Sequence, residues 1–311
     1  MISVLIPVHN RKVVSLVTSL RNQAANLPVD IEIVVLDDGS SKPFRKENAL
    51  IGAMERVRYV ELPENTGRAA ARNRLADEAA QNYFLYIDGD AVIGRESFLE
   101  DYIRHCDEQS VVCGGLEYFH ELPEDPSELL RYRVGVSREC LPASVRRTRP
   151  YGSFLSSNFL IPAKLFHRIR FDERMKGYGH EDTLFGFRLK QEKIRVRHID
   201  NPVIHENLET GGEYLKKALE ASGNLVKAWG LTGYDPDFVR EVKLLRSAMG
   251  LRRLGMSFPV RKMVTLMRRQ AMRNLTGPNP RLIFLDMLKL DACLGALCVA
   301  KRKPPYEKMR E

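Results

Sequence analysis

The chain has 311 residues and is 44% hydrophobic, enough for one large domain or two smaller ones with real cores, so disorder is excluded as the default. Its net charge of +9 is uneven, because residues 241–311 carry 16 Lys or Arg against 5 Asp or Glu. This basic end predicts an anionic partner, either a nucleic acid or a membrane surface, unless it forms only a solvated helical face.

The start of the chain, MISVLIPVHNRK, has no basic n-region and only a short apolar run, so we expect a first strand and no signal peptide. The five cysteines are widely spread, without a C-x-x-C pair or a Cys/His pair at zinc spacing. Reduced thiols in a cytoplasmic protein are the simplest expectation.

Strand and helix patterns alternate over the first ninety residues. Apolar runs predict strands at 3–8, 31–40, 57–62 and 83–90, and the sequence predicts a helix at about 13–26 and a loop followed by a helix within 65–80. This alternation predicts an α/β fold with a mostly parallel sheet flanked by helices on both faces.

The second half is less regular. Strands are expected at 111–119 and 155–161, followed by a helix after Pro162 and another that begins near Glu181. One or two edge strands are expected in 194–207, and helices dominate from Glu213 onward.

The long apolar segment 283–300 is a poor membrane span, because Asp286, Lys289 and Asp291 fall near its middle. A helix that packs on the body of the protein, or that lies on a membrane surface, fits better. Basic clusters, among them Lys301–Arg302–Lys303, alternate with apolar residues in this region. We therefore expect residues 241–311 to contact anionic lipid at the inner face of the membrane, and no nucleic acid, since stacking aromatics are lacking.

Polar residues follow three of the predicted strands. They are His9–Asn10–Arg11, Asp37–Asp38 and Asp88–Gly89–Asp90. Ligands of parallel sheets bind beyond the carboxyl ends of the strands, so these residues are expected to share one edge and one ligand.

The D-x-D at Asp88 and Asp90 is not a calcium loop, because Ile93 and Leu99 stand where such a loop needs Gly and Glu. Dinucleotide and P-loop fingerprints are also missing from the sequence. The remaining interpretation is a Mg²⁺ or Mn²⁺ site whose coordination is completed by substrate phosphates.

Six motifs in order carry a family resemblance: SVLIPVHNR, IVVLDDGS, NTGRAAARN, YFLYIDGD, GYGHED and VIH. Over roughly residues 1–210 the chain resembles the family 2 inverting glycosyltransferases, which have the GT-A (Rossmann-like) fold. The resemblance implies a catalytic domain over 1–212, and the helical patterns and basic residues beyond it predict a helical basic region over 213–311. It also implies a nucleotide-sugar donor, usually a UDP-sugar, and a glycan or lipid-linked saccharide as acceptor.

On this resemblance, residues of the donor side would bind the nucleotide-sugar: Pro7, His9, Asn10, Asp37, Asp38, Gly67, Arg72, Asp88 and Gly89. Asp38, with Asp37 beside it, would recognise the base. Asp88 would contact the ribose or the donor sugar.

The resemblance also implies roles on the acceptor side and at the metal. Asp182 would be the general base and Glu181 an acceptor-binding partner, while Asp90 and His205 would hold the metal. One departure is Tyr178, where related enzymes often have Trp, so acceptor preference is not carried over. A carboxylate base fits the chemistry, since an acceptor hydroxyl must lose its proton as it attacks the anomeric carbon.

Three other interpretations stay open. A sugar nucleotidyltransferase would need a Gly-rich basic loop where PVHNRKVV stands. A non-catalytic carbohydrate-binding scaffold is disfavoured by intact Asp88, Asp90 and Asp182. A nucleic-acid binder would depend on the basic end of the chain and would show steep salt dependence.

Overall fold

The computed structural model of the chain describes residues 1–206 and 208–300, and the Lys301–Arg302–Lys303 cluster lies outside the described residues. The chain divides into two units. The first comprises Met1–Glu121, Gly135–Arg174 and 181–206, and the second comprises Leu122–Val134, Met175–His180 and 208–300.

Ten strands occur within the described residues, all in the first unit. They are β1 (Ile2–Val8), β2 (Ile31–Asp37), β3 (Val57–Glu61), β4 (Tyr83–Ile87), β5 (Ala91–Val92), β6 (Ser110–Cys113), β7 (Leu116–Glu117), β8 (Asn158–Pro162), β9 (Arg195–His198) and β10 (Val203–His205).

The α-helices of the described residues are numbered through both units, and α5 and α9–α13 belong to the second. They are α1 (Val14–Ala25), α2 (Lys42–Asn48), α3 (Arg68–Glu78), α4 (Phe98–Arg104), α5 (Leu129–Val134), α6 (Ala143–Arg146), α7 (Ala163–Ile169), α8 (Glu181–Gln191), α9 (Gly211–Leu231), α10 (Pro236–Glu241), α11 (Lys243–Arg253), α12 (Ser257–Leu275) and α13 (Leu282–Ala300).

The predicted mostly parallel sheet is confirmed. Seven strands pair in the order β3-β2-β1-β4-β8-β6-β9, and only β8 runs antiparallel to its neighbours. Two predictions were wrong in detail. The strand expected at 111–119 is broken by Gly114 and Gly115 into β6 and β7. Strand β10, expected at an edge, is instead the middle strand of a three-stranded sheet, β5-β10-β7.

Both faces of the large sheet are buried. One face packs with α3, α7 and α8 into a core that includes Leu5, Phe84 and Phe185. The alternate side chains Val4 and Ile6 of β1 are also fully buried, so the other face is covered as well, as the continuous apolar run of β1 predicts.

The second unit has its own apolar core. Side chains of α5, α9, α12 and α13 pack together there, among them Tyr214, Val264 and Leu288. Trp229 is buried, and its indole N–H donates a hydrogen bond to the carbonyl oxygen of Asp235. Within the residues that the structure describes, the helices are all too short or too polar to cross a membrane.

Candidate active site

The loops after β1 and β2 are joined by hydrogen bonds at the carboxyl edge of the sheet. The backbone N–H of Asp38 donates to the carbonyl of Val8 at 2.7 Å, and that of Asn10 donates to Ser40 Oγ at 2.8 Å. Since β2, β1 and β4 are adjacent and parallel, the polar residues that follow them lie along one edge, as predicted.

His9 and Asn10 are held within this edge. The ring Nδ1 of His9 lies 2.8 Å from the carbonyl oxygen of Asp38, and the Asn10 amide lies 3.0 Å from His9 Nε2. These contacts fit the tautomer with the proton on Nδ1. Pro7 sits in β1 where the pairing with β4 has already ended, so its missing N–H leaves no gap in that ladder.

The two acids after β2 have protein partners. Asp37 is fully buried, and its carboxylate accepts hydrogen bonds from the N–H of Ser40 at 2.7 Å and from the hydroxyl of Tyr59 at 3.0 Å. Burial and this hydrogen bond raise the pKa of Tyr59 well above its ordinary value, so the phenol stays a donor. Contact of Asp37 with a donor stays a prediction.

Asp38 shapes the loop that leads into α3. Its Oδ1 accepts from both the N–H and the hydroxyl of Thr66 at 2.7 Å, and its Oδ2 accepts from the N–H of Gly67 at 3.0 Å. Gly67 has a φ of 94°, a conformation that glycine adopts readily. A carboxylate has about four acceptor positions, so room for one further donor, such as a base N–H, remains.

Asp88 is paired with a buried arginine, Arg72. Arg72 is 2% exposed, and its Nη2 donates to Asp88 Oδ1 at 2.8 Å. The same guanidinium lies 5.4 Å from the centre of the Phe171 ring. A strand can therefore end in two acids because the first has a buried cation beside it.

The second acid of the D-x-D has a different partner. Asp90 Oδ1 lies 3.6 Å from His205 Nδ1, on the β10 strand that pairs with β5. Burial favours the neutral form of Asp90, but the interaction with His205, together with Arg11 and Arg68, holds its pKa below the ordinary value.

Asp90 and His205 are the residues that suit a metal. A carboxylate and an imidazole, both partly exposed, are acceptable ligands for Mn²⁺ and, through the carboxylate, for Mg²⁺. Within the described residues, no group of three or more His, Cys, Asp or Glu side chains could hold a metal by itself. A cation here would thus need oxygens from a substrate, which matches the usual way Mg²⁺ is bound together with phosphates.

Gly89 lets the D-x-D turn approach β1 closely. A Cβ at this position would lie 3.1 Å from both the carbonyl oxygen of Pro7 and Val8 Cγ2, and 3.3 Å from Val13 Cγ1. The glycine between the two acids is thus explained by packing against the end of β1.

Glu181 and Asp182 begin α8. Glu181 is 8% exposed, and its Oε1 lies 3.7 Å from Arg72 Nη1 and 3.5 Å from Arg68 Nη1. Asp182 Oδ1 accepts from the N–H of Thr183 at 2.6 Å, while its Oδ2 has no hydrogen-bond partner within the described ranges. Burial and the neighbouring charge of Glu181 raise the pKa of Asp182 to about 6.

Sequence reasoning left some of these partners out. No sequence motif predicted three of the contact residues, Tyr59, Thr66 and Phe171, although Thr66 directly precedes the glycine of NTGR. Of the three arginines of α3, Arg68 and Arg72 contact Glu181, whereas Arg74 forms an i,i+4 pair with Glu78. The direction of each side chain on α3 decided this, and a helical pattern alone does not reveal it.

Comparison with known proteins identifies relatives. The sequence model described as "Glycosyl transferase family 2" matches residues 3–157. Validoxylamine A glucosyltransferase of Streptomyces hygroscopicus subsp. limoneus is 31% identical over 224 residues, covering 62% of this chain and 49% of that protein. The matches with curated relatives span less than half of those proteins' own length.

Two solved structures have a similar fold. A mannosyltransferase from Pyrobaculum calidifontis, in complex with GDP-Man and Mn²⁺, aligns with a TM-score of 0.57 and 14% identity over 97% of this chain and 87% of that chain. Glucosyl-3-phosphoglycerate synthase from Mycobacterium tuberculosis, with Mn²⁺, UDP and glucosyl-3-phosphoglycerate, aligns with a TM-score of 0.50 and 18% identity over 74% of this chain and 80% of that chain. At these identities the likeness concerns the fold alone.

Proposed function

Because the chain belongs to glycosyl transferase family 2 and has a GT-A fold, we propose that it moves one sugar from a nucleotide-sugar donor to an acceptor hydroxyl by a single inverting displacement. The observation that carries this proposal is the position of Arg72. Its guanidinium contacts Asp88 on the predicted donor side and Glu181 on the predicted acceptor side.

Asp182 has the properties of the general base. A base works best when its pKa lies near or just below the working pH, because it is then ionised and still a useful proton acceptor. With a pKa of about 6, Asp182 is ionised at pH 7, and its Oδ2 has no competing hydrogen bond in the described part of the chain. Asp182 would take the proton of the acceptor hydroxyl as its oxygen bonds to the anomeric carbon.

On the donor side, the bond between the anomeric carbon and the diphosphate oxygen breaks as the new bond forms. Asp88, fixed by Arg72, would orient the ribose or the sugar. Asp90 and His205 would hold Mn²⁺ or Mg²⁺, which supplies positive charge for the departing diphosphate. Inversion follows from one displacement, which needs no covalent nucleophile.

The finer assignments are also proposals. A UDP-sugar is the first donor to test, with a GDP-sugar as the second, and the acceptor would be a glycan or a lipid-linked saccharide. We propose that residues 1–212 carry catalysis and that 213–311 form an accessory region that holds the protein at the cytoplasmic face of the membrane.

The test is a panel of nucleotide sugars with Mn²⁺ or Mg²⁺. We expect one donor to raise the melting temperature and to release its nucleoside diphosphate faster when the acceptor is added. An Asp182→Asn variant should bind that donor but should not transfer the sugar. A protein that binds donors without any turnover would instead be a carbohydrate-binding scaffold.

A further inference from the structure

Exposed apolar side chains are concentrated in the second unit. Of the twelve large hydrophobic side chains exposed in the described structure, seven lie between residues 254 and 299: Leu254, Met256, Phe258, Met263, Leu266, Ile283 and Val299. Single exposed apolar residues are ordinary, but a concentration of this kind marks a surface that contacts a partner or a membrane.

Helix α12 presents much of this surface. Val264, Ala271 and Leu275 are completely buried in the core of the second unit, whereas Phe258 is 76% exposed and Leu266 78% exposed. With about 100° of turn per residue, these two exposed residues project from the half of the helix opposite the buried three.

The same outer half of α12 is strongly basic. Lys262, Arg269 and Arg273 are exposed and alternate by helical position with Phe258, Met263 and Leu266. The helix sequence SFPVRKMVTLMRRQAMRNL contains no acidic residue. Asp291 of α13 pairs with this helix, at 3.0 Å from Arg261 and 3.9 Å from Arg268. Within the described residues, Lys262, Arg269 and Arg273 have no acidic partner, so they are available to an external anion.

A groove of about 460 Å³ lies at the C-terminal end of this face. It is lined by Gln270, Arg273, Asn274, Asn279, Arg281 and Phe284. The guanidinium groups of Arg273 and Arg281 have no acidic partner within 4 Å in the described part of the chain. Two guanidinium groups with neighbouring amides form a donor set that matches a phosphate group.

The opposite end of the face is apolar. Leu254 and Met256 lie in the connection between α11 and α12, at 76% and 44% exposure, and Phe258 follows at the start of α12, at 76% exposure. The end of α13 lies nearby, because Arg252 Nη1 is 3.4 Å from the carbonyl oxygen of Leu297.

We propose that this membrane face, formed by the outer half of α12 with the 254–256 connection, binds anionic phospholipid bilayers, with the apolar side chains entering the headgroup region and the cations meeting lipid phosphates. Interfacial helices elsewhere combine the same apolar and basic side chains. A second copy of the chain is a poorer occupant, since pairing two such faces would bring the basic residues together. Nucleic acid would leave the aliphatic side chains without a partner.

The test uses the full chain and flotation with phosphatidylcholine vesicles, with or without phosphatidylglycerol. We expect binding only to the anionic vesicles, and its loss when NaCl is raised from about 0.1 to 0.5 M. The double variant Leu254→Ser/Phe258→Ser should weaken binding at least tenfold. Its matched control is Leu50→Ser, which alters a 65% exposed leucine of the first unit and should have no effect.

A second pair of variants tests the charges. Lys262→Gln/Arg269→Gln should weaken binding about 25-fold, at roughly fivefold for each charge. Arg21→Gln/Lys46→Gln, which removes two exposed cations of the first unit, should not. Equal binding to neutral vesicles, no binding at all, or a concentration-dependent dimer abolished by Leu254→Ser/Phe258→Ser would each overturn the proposal. Vesicle binding is scored without donor or acceptor, so it is independent of whether sugar transfer occurs.

Discussion

The guanidinium of Arg72 donates a hydrogen bond to Asp88 at 2.8 Å and is itself almost wholly buried. Its other terminal nitrogen lies 3.7 Å from Glu181, which comes 109 positions later in the chain. One cation therefore compensates two acids from distant parts of the sequence. This explains how two carboxylates can occupy one partly buried edge, since a buried charge needs a partner.

We expect Arg72→Gln to lower the free energy of unfolding by about 3 kcal/mol, because it leaves the two acids without their shared cation. The matched control is Arg74→Gln on the same helix, whose ion pair with Glu78 is exposed and is worth about 0.5 kcal/mol or less. Urea unfolding measures both. Equal midpoints for the two variants would contradict the role given to Arg72.

Arg72→Lys separates charge from geometry. Lysine keeps the positive charge but lacks the planar fork that reaches two acids at once. We expect stability between that of the wild type and that of Arg72→Gln, with a larger loss in transfer rate than in stability. A lysine variant with wild-type kcat would mean that charge alone is needed at this position.

Asp182→Asn should lower kcat about a hundred- to ten-thousand-fold, the usual range for loss of a general base. The amide oxygen of the new side chain can still accept the hydrogen bond from the Thr183 N–H, so the affinity for the donor should stay unchanged.

In the wild type, kcat/KM should fall as the pH drops through about 6, because the base becomes protonated. Removal of the Arg72 charge should move this acid limb to higher pH, since that charge lowers the pKa of Asp182.

The same variant should stabilise the protein at neutral pH. A carboxyl whose pKa is raised on folding binds its proton more tightly in the folded state, so its contribution to stability falls as the pH rises from about 4 to 6. Asparagine does not titrate, so its contribution to stability does not fall as the pH rises. We expect Asp182→Asn to be more stable by about 1 to 2 kcal/mol above pH 6.5, with the difference vanishing near pH 4. A variant less stable than the wild type at pH 7.5 would argue against this raised pKa.

Much of the fold was predictable because β1, β2 and β4 are mostly apolar and buried, and helical patterns separate the first four strands along the chain. The sequence did not reveal that β8 runs antiparallel, since the direction of a strand depends on long connections. Strands β5, β7 and β10 have only two or three residues each, too few for a periodic signal. Helix α2 was missed because KPFRKEN has a single large apolar residue.

The site was predictable where acids end strands, because parallel neighbours share an edge. The sequence did not reveal which groups form hydrogen bonds with each of these acids. Asp37 and Asp38 are adjacent in sequence, yet one contacts Tyr59 and the other contacts Thr66 and Gly67. Alternate side chains point in opposite directions at the end of a strand, so their partners are set by the tertiary structure.

Asp90→Asn and His205→Gln should each weaken Mn²⁺-dependent donor binding at least tenfold, since each removes one of two proposed metal ligands. The matched control is His167→Gln, an exposed histidine on α7. Titration of Mn²⁺ at constant UDP, followed by calorimetry, measures the effect. Affinity for Mn²⁺ that is unchanged in both ligand variants would remove these residues from the metal site.

Gly89→Ala tests the packing of the D-x-D turn. The new Cβ would lie 3.1 Å from the carbonyl oxygen of Pro7, so the turn must move by a few tenths of an ångström. We expect a cost of about 1 to 3 kcal/mol in the free energy of unfolding, together with a greater than tenfold loss in kcat/KM, because Asp88 and Asp90 move with the turn.

The matched control is Gly52→Ala, where the nearest atom to the added Cβ would be Tyr59 Cβ at 3.9 Å. That change should be neutral or stabilise by up to about 1 kcal/mol. If Gly89→Ala and Gly52→Ala had the same stability and the same activity, close packing on β1 would not be the reason for this glycine.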